Sequence, residues 1–127
     1  MLLVKTRLGE SLIHGIGVFA DEIIPKGTLV LEWHEGVDQN ISAQFVDALP
    51  DIAKEYMKRY SWVSGGWYCL CSDNDRFLNH SDDPNCGLLE SWGDIALKDI
   101  QIGEELTVDY RKFDPHFGSK EYGYDWV

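Results

Sequence analysis

The chain has 127 residues, 44% of them hydrophobic and 13% aromatic, and its 22 acidic against 11 basic side chains give a formal net charge of −11. This length and composition predict one soluble domain over residues 1–127 and exclude a disordered chain, and no apolar run approaches the roughly 18 residues of a membrane span. The acidity and the lack of a Lys/Arg-rich stretch argue against direct nucleic-acid binding, because phosphates are bound mainly by basic side chains.

Short β-type runs make up most of the chain, separated by Gly, Pro or Asp. In chain order the predicted strands cover residues 2–5, 17–20, 28–33, 67–71, 87–92, 94–98 and 105–110. The pattern predicts a mainly β protein built from several small sheets.

One helical stretch interrupts this pattern from Ser42 to about Tyr60, where apolar residues recur at helical spacing. Ser42 is the predicted N-cap, and Pro50 divides the stretch because proline opens a helix readily but does not continue one. We therefore predict two short helices within an insert at about residues 38–66.

Two tight turns are predicted at Gly27 and Gly103, each three residues after an apolar residue and just before a β run. The final stretch, residues 112–127, is rich in Gly and charge yet holds five aromatic residues, which we expect to dock across the domain. These are Phe113, Phe117, Tyr122, Tyr124 and Trp126.

The three cysteines form a poor disulfide framework, since their number is odd and Cys69 and Cys71 lie two apart. With no signal-like N-terminal run, this predicts a reducing cytoplasmic location. The spacing also disfavours zinc, because Cys69 and Cys71 fall in a β run rather than a knuckle turn; we predict no metal site and free cysteines that pack as small apolar residues.

Several short motifs have ordinary structural readings when taken singly. Gly15-x-Gly17 lacks the third glycine and long helix of a phosphate cradle, and Ser81 beside His80 lacks the strand-to-helix elbow of a nucleophile. Adjacent carboxylates such as Glu104 and Glu105 point to opposite faces of a strand, which opposes a glycosidase-like pair.

Three phrases taken in order are far more specific than any one of them. They are His14-Gly-Ile-Gly-Val-Phe-Ala20, Arg76-Phe-Leu-Asn-His-Ser-Asp-Asp-Pro-Asn85 and Gly103-Glu-Glu-Leu-Thr-Val-Asp-Tyr110. Over nearly its whole length the chain resembles a SET domain, the fold of S-adenosylmethionine-dependent protein lysine methyltransferases. The resemblance implies a β-clip type fold of small curved sheets in which the last two phrases form a knot-like active site.

The resemblance also implies roles for residues of this chain. Backbone groups around His14, Gly15, Ile16 and Gly17, and at Asn79 and His80, would hold S-adenosylmethionine, with Asn79 and His80 meeting the adenine. Tyr110 would be the catalytic tyrosine, and Arg76 and Phe77 would support their loop rather than touch substrate. The implied reaction transfers a methyl group to lysine in a basic protein, histone-like proteins among others; this fits the acidic charge, although acidity also serves solubility alone.

The chemistry of lysine methylation explains the need for such a site. A lysine ammonium has a pKa of about 10.4 and must become neutral before it attacks a methyl group. Burial and the nearby sulfonium both lower that pKa, so Tyr110 is expected to align the amine rather than act as a base.

The chain departs from the family pattern in places. Many members close the lysine channel with a cysteine-rich zinc cluster; with no cysteine after Cys86 in this sequence, we expect the five tail aromatics to line the channel. Val108, two before Tyr110, stands where a larger aromatic residue is frequent, which predicts room for di- or trimethylation. Small members can dimerise, and Trp62 and Trp67 are predicted to be exposed at a homodimer contact.

Two other functions stay open from the sequence. One is a non-catalytic SET-like module that binds a basic peptide or the cofactor without turnover. The other is a small all-β domain in which the glycine turns and the aromatic tail form a ligand pocket.

Overall fold

The computed structural model describes residues 1–89 and 93–127. Within them the chain forms two α-helices, α1 (Ala43–Asp47) and α2 (Asp51–Tyr60), and 3-10 turns at Asn74–Phe77, Tyr110–Lys112 and Lys120–Tyr122. The strands of this described part are β1 (Thr6–Glu10), β2 (Ile16–Ala20), β3 (Leu29–Glu32), β4 (Gln39–Ser42), β5 (Ser61–Ser64), β6 (Trp67–Leu70), β7 (Asn79–His80), β8 (Cys86–Leu89), β9 (Gly93–Ala96) and β10 (Thr107–Val108). Neither helix in these ranges is long and apolar enough to cross a bilayer.

The strands form small sheets of two or three members. β1 pairs with β2, β9 lies between β3 and β8, and β6 lies between β4 and β5, all antiparallel. β7 and β10 pair in parallel, although 26 residues lie between the end of β7 and the start of β10. The predicted mainly β fold with a short helical insert is confirmed.

The main core lies between the first hairpin and the β3–β9–β8 sheet. Val18, Val30, Ile100 and Leu106 are each fully buried there, and each such side chain contributes roughly 1.5 to 3 kcal/mol relative to exposure. A separate cluster of Val46, Met57 and Tyr68 holds the helices on the β4–β6–β5 sheet. The insert therefore has its own small core beside the main one.

The helix boundaries agree with the sequence prediction. The Ser42 hydroxyl accepts a hydrogen bond from the Phe45 amide at 3.1 Å, which caps α1. Pro50 precedes α2 as its N-cap rather than its first helical residue, and its carbonyl accepts from the Ala53 amide at 2.9 Å.

The two predicted glycine turns are also confirmed. Gly27 and Gly103 have φ values of 87° and 90°, in the left-handed region that glycine adopts without strain. The residues three before them, Ile24 and Ile100, are buried and exchange backbone hydrogen bonds of 2.9 and 2.8 Å. The turns are thus joined at their bases.

Some strands differ from the predictions. The sequence does not predict β1, β4, β5 or β7: the mostly exposed or half-buried residues of the first three show no apolar alternation, and the two residues of β7 are too few to show one. The predicted strand at residues 2–5 runs beside β3 with a single bridge, Leu2 to Leu31. Residues 90–92 of the predicted strand 87–92 lie outside the described residues.

Candidate functional site

The parallel pairing of β7 and β10 brings the second and third phrases together. Asn79 lies opposite Thr107 and His80 opposite Val108, and the Ser81 amide donates to the Val108 carbonyl at 3.0 Å. A two-residue strand pair is too short to be stable alone, so other contacts must hold it.

Asn85 supplies such contacts from the end of the second phrase. Its Nδ2 donates to the Glu105 carbonyl at 2.8 Å, and its Oδ1 accepts from the Thr107 amide at 2.8 Å. One side chain thus satisfies two backbone groups of the third phrase, which explains the choice of asparagine at this position.

The Asn79 side chain ties the first phrase to the other two. Its Nδ2 donates to the His14 carbonyl at 3.0 Å, to the Ile16 carbonyl at 3.2 Å and to Glu105 Oε1 at 2.8 Å. Asn79 is 4% exposed, and both of its N–H groups are used in this way. In this structure these donors are used within the protein, and Asn79 holds the His14–Ile16 loop.

Glu105 explains the glycine at position 17. A Cβ on Gly17 would lie 2.2 Å from Glu105 Oε1, far inside van der Waals contact. Gly15 differs, because its φ of 52° lies in the left-handed region. The Ser11 hydroxyl donates to both oxygens of the same carboxylate at 2.8 and 3.0 Å. Glycine at position 15 therefore permits a positive φ, and glycine at position 17 leaves space for the Glu105 carboxylate.

A single cavity lies where these phrases meet the insert and the tail. Its lining includes His14 and Ile16 of the first phrase, Arg76 to Asn79 of the second, and Val108 and Tyr110 of the third. The insert adds Lys58, Arg59, Tyr60, Ser61 and Trp62, and the tail adds Phe113, Gly123, Tyr124 and Trp126. Elements far apart in sequence therefore share one concave surface, the usual setting of a ligand site.

Tyr110 lines this cavity. The hydroxyl donates to the Leu78 carbonyl, and the Tyr110 amide donates to His80 Nδ1 at 3.2 Å. Burial, together with the nearby Asp114 charge, raises the pKa of Tyr110 well above its usual range. Its phenol therefore stays protonated at neutral pH and can donate or accept hydrogen bonds, but it is not available as a phenolate base.

His14 lies at another part of the lining, beneath the tail. The rings of His14 and Trp126 stack with centroids 4.3 Å apart, and Arg59 Nη2 lies 3.4 Å from His14 Nε2. Burial, and secondarily Arg59, lowers the pKa of His14, so the imidazole is neutral near pH 7.

The tail residues predicted to line a channel divide into two groups. Phe113, Tyr124 and Trp126 line the cavity; Phe117 packs on the ring of His80 with centroids 4.5 Å apart. Tyr122 instead stacks on His116 at 3.9 Å. Five of the predicted site residues do not line the cavity in the described part of the chain: Gly15, Gly17, His80, Phe117 and Tyr122.

Sequence reasoning missed several lining residues. Trp62, predicted to be exposed at a dimer contact, is half-buried and packs edge-on against Phe113 at 5.2 Å. Within the described part of the chain its Nε1 has no hydrogen-bond partner. Trp67 is 49% exposed, as predicted. Arg76, whose Nε donates to the Cys71 carbonyl, supports its loop and also lines the cavity with Phe77.

Two acidic residues, Asp75 and Asp94, also line the cavity, although nothing singled them out in the sequence. Both are at least 92% buried. A carboxylate in the middle of the apolar run Gly93-Asp-Ile-Ala96 was the available signal, because charged residues are rarely buried without a partner.

The cysteines are free, and Cys71 and Cys86 are buried as small apolar residues, whereas Cys69 is half-buried. Burial raises the pKa of Cys86 to about 12, so this thiol is inert. Among residues 1–89 and 93–127, no group of three His, Cys, Asp or Glu side chains is arranged to hold a metal ion.

Comparison with protein families gives one match that covers most of the chain. The family model described as SET domain matches residues 15–111. Histone-lysine N-methyltransferase ATX2 of Arabidopsis thaliana is 32% identical in an alignment that covers 86% of this chain and 11% of that protein. An H3 lysine-4 specific histone-lysine N-methyltransferase of Chaetomium globosum is 30% identical, with 91% and 12% coverage. The chain thus spans about a tenth of the length of these relatives.

Solved structures with a similar fold include a humanized mutant of the Chaetomium thermophilum Polycomb Repressive Complex 2 bound to the inhibitor GSK126. The TM-score is 0.63 at 25% sequence identity, and the match covers 91% of this chain and 16% of that one. A second, ctPRC2 in an autoinhibited conformation bound to S-adenosylmethionine, has a TM-score of 0.64 at 24% identity, covers 93% of this chain and 16% of that one, and supports the fold alone.

Proposed function

The chain belongs to the SET domain family, and from this premise we propose that it is a protein-lysine N-methyltransferase that uses S-adenosylmethionine. One observation carries the proposal: Asn79, which holds the His14–Ile16 loop, and Tyr110 come from phrases far apart in sequence and line the same aromatic cavity. Function is argued from the site rather than from the fold, and here residues of three separate phrases line one concave surface.

The residues at one side of the cavity fit the proposed cofactor. The stacked pair His14 and Trp126 offers flat surfaces to an adenine ring, and Arg59 and Arg76 offer positive charge to a carboxylate. Backbone groups of the His14–Gly17 loop and of β7 would complete this site, with Asn79 holding the loop in place. When bound, S-adenosylmethionine supplies an electrophilic methyl group on a sulfonium.

On the other side, the lining is aromatic and suits the apolar stem of a lysine. Trp33, Trp62, Tyr110 and Phe113 surround this part, and burial among them disfavours a lysine ammonium. The proton leaves to solvent before attack, so the amine nitrogen can offer its lone pair. Tyr110 would then orient the amine through its oxygen while the Leu78 carbonyl fixes the direction of the hydroxyl hydrogen. Its contribution is positional and electrostatic.

A basic protein is the proposed substrate, with histone tails first among the candidates because the relatives are named as histone-lysine methyltransferases. The net charge of −11 supports this choice, since a negative protein attracts Lys-rich partners and speeds their encounter. We propose a reducing cytoplasmic setting for the chain, on the strength of its free cysteines.

A homodimer remains part of the proposal, through the insert rather than through Trp62. Phe45, Ile52 and Trp67 of the insert are 59%, 76% and 49% exposed. Light scattering of the purified protein tests this directly: a monomeric mass at micromolar concentration would remove it.

Labelling with S-adenosylmethionine that carries a radioactive methyl group, in the presence of histone H3 and a panel of other basic proteins, tests the enzymatic function. We expect label in lysine that is lost in Tyr110→Phe and kept in Tyr68→Phe, a matched change at a buried tyrosine of the insert core. Cofactor binding without label indicates a non-catalytic module. No thermal stabilisation by the cofactor indicates a different all-β ligand-binding domain, because a native-state ligand raises the melting temperature.

A further inference from the structure

A buried carboxylate belongs to the lining of the cavity. Asp94 is the second residue of β9, the central strand of its sheet, and stands opposite Leu31 of β3, which also lines the cavity. It is 4% exposed, and its Oδ1 has no hydrogen-bond partner among residues 1–89 and 93–127. Burying an unpaired carboxylate is expensive, so its presence calls for an explanation.

The other acidic residue of the lining differs in this respect. Asp75 Oδ2 lies 3.5 Å from the amino group of Met1. The Asp75 carboxylate therefore has a polar partner. Asp94 shares the cavity lining with Val108 and Tyr110, and its Oδ1 has none among the described residues.

The lining carries both positive and negative side chains. Arg59 lies against His14, and Arg76 Nε donates to the Cys71 carbonyl, at the part proposed for the cofactor. Asp94 of β9 shares the lining with Leu31 of β3 and Val108 of β10. The cavity as a whole measures about 150 Å³, against the roughly 10 to 15 Å³ that one water needs, so it is large enough to hold a ligand group.

We propose that Asp94 is a specificity residue that binds the cationic end of the substrate side chain, so that the cavity selects a primary alkylammonium over a neutral chain of the same length. The inference rests on the proposed function and adds the group that recognises charge. The aromatic residues recognise the stem, and Asp94 pairs with the ammonium as it arrives. Because a nearby carboxylate favours the charged amine, the amine loses its proton only after it has left this contact and moved to Tyr110. Asp94 thus acts on binding, and Tyr110 acts on the reaction.

A binding experiment without methyl transfer tests this proposal. n-Butylammonium chloride, which carries the four carbons and ammonium of a lysine side chain, is titrated against ¹⁵N-labelled protein, and 1-butanol is titrated as the neutral probe. The Trp62 indole N–H, unpartnered in the lining, is the reporter and is assigned with Trp62→Phe. Sodium chloride matches the ionic strength.

In the wild type we expect n-butylammonium to bind about tenfold more tightly than 1-butanol, the size of a charge-assisted hydrogen bond. In Asp94→Asn the two probes should bind equally. Asp83→Asn, at a carboxylate that is 94% exposed, should keep the wild-type ratio. If Asp94→Asn loses its dispersed indole signals, Asp94→Ser is measured in its place.

Equal binding of the two probes by the wild type, or the same preference in wild type and Asp94→Asn, would overturn the proposal. Neither result depends on catalysis. Failure of the proposed methyl transfer would appear in the labelling experiment instead, where the wild-type protein would label none of the basic proteins.

Discussion

The backbone amide of Tyr110 donates a hydrogen bond to Nδ1 of His80 at 3.2 Å. Because Nδ1 accepts, the ring proton of a neutral His80 lies on Nε2, which is 3.2 Å from Asp82 Oδ1. The histidine therefore links the end of β7 to the start of the turn that carries the Tyr110 side chain. Its imidazole sets the position of the proposed catalytic residue without lining the cavity.

We predict that His80→Ala lowers the free energy of unfolding by about 1 to 3 kcal/mol, because the Tyr110 amide loses its acceptor. His80→Asn should recover part of this loss, since an asparagine oxygen can take the place of Nδ1. Urea unfolding gives the free energies, and kcat should fall and recover in parallel. Equal stability of His80→Ala and the wild type would show that the bond positions nothing.

Gly17→Ala should be far more damaging than its small size suggests. The new methyl group would lie 2.2 Å from Glu105 Oε1, so we expect the Glu105 carboxylate to be displaced and cofactor affinity to be lost. Gly36→Ala is the control: Gly36 has a φ of 85° in open space, so it costs about 1 kcal/mol and leaves cofactor binding unchanged. Calorimetric titration with S-adenosylmethionine measures the difference, and similar effects of the two changes would argue against a steric role for Gly17.

Tyr110→Phe should lower kcat by about 10² to 10³-fold, the usual effect of removing one group that positions or stabilises the reacting atoms. The backbone bond to His80 survives this change, so the fold should persist. Tyr68→Phe is the matched control and should keep full activity. Initial rates with the protein identified by labelling check the prediction, and an active Tyr110→Phe enzyme would remove the proposed role.

The stability of Asp94→Asn relative to the wild type should depend on pH. Burial, with a smaller effect from Asp75, raises the pKa of Asp94 to about 6, against 3.8 when unfolded. The folded state thus binds the proton more tightly, and keeping Asp94 ionised in the fold costs about 3 kcal/mol at neutral pH. We expect Asp94→Asn to be more stable by up to that amount at pH 7.5.

The advantage of Asp94→Asn should shrink as the pH falls through about 6, and it should vanish below about pH 3, where the wild-type carboxyl is protonated in both the folded and the unfolded state. Asp75 and Cys86 are the ionisable groups coupled to Asp94, and both are unchanged in the variant. Urea titrations at several pH values measure the difference. A gap that stays constant with pH would mean that Asp94 titrates normally.

Val108→Phe should restrict the number of methyl groups added. Val108 is 4% exposed and lines the cavity beside Tyr110, so a larger ring would fill space next to the amine. We expect di- or trimethyllysine from the wild type and mainly monomethyllysine from Val108→Phe in exhaustive reactions read by mass spectrometry. An exclusively monomethylated wild-type product would contradict the prediction.

Local features of the fold could be predicted from the sequence because neighbouring residues determine them. The Ser42 cap, the division at Pro50 and the turns at Gly27 and Gly103 depend on hydrogen bonds and backbone angles within a few positions. The edge strands β1, β4 and β5 could not be predicted, since their residues show no apolar periodicity and their pairing depends on partners elsewhere.

The three phrases identified the family, because their order and spacing can be read directly from the sequence. Only the tertiary structure decided which side chains share the cavity: it placed Trp62 and Asp94 in the lining and Tyr122 against His116. The physical reason is that a lining residue is defined by contacts between strands and turns remote in the chain. Such contacts depend on register and close approach, as between Gly17 and Glu105, which a linear pattern does not specify.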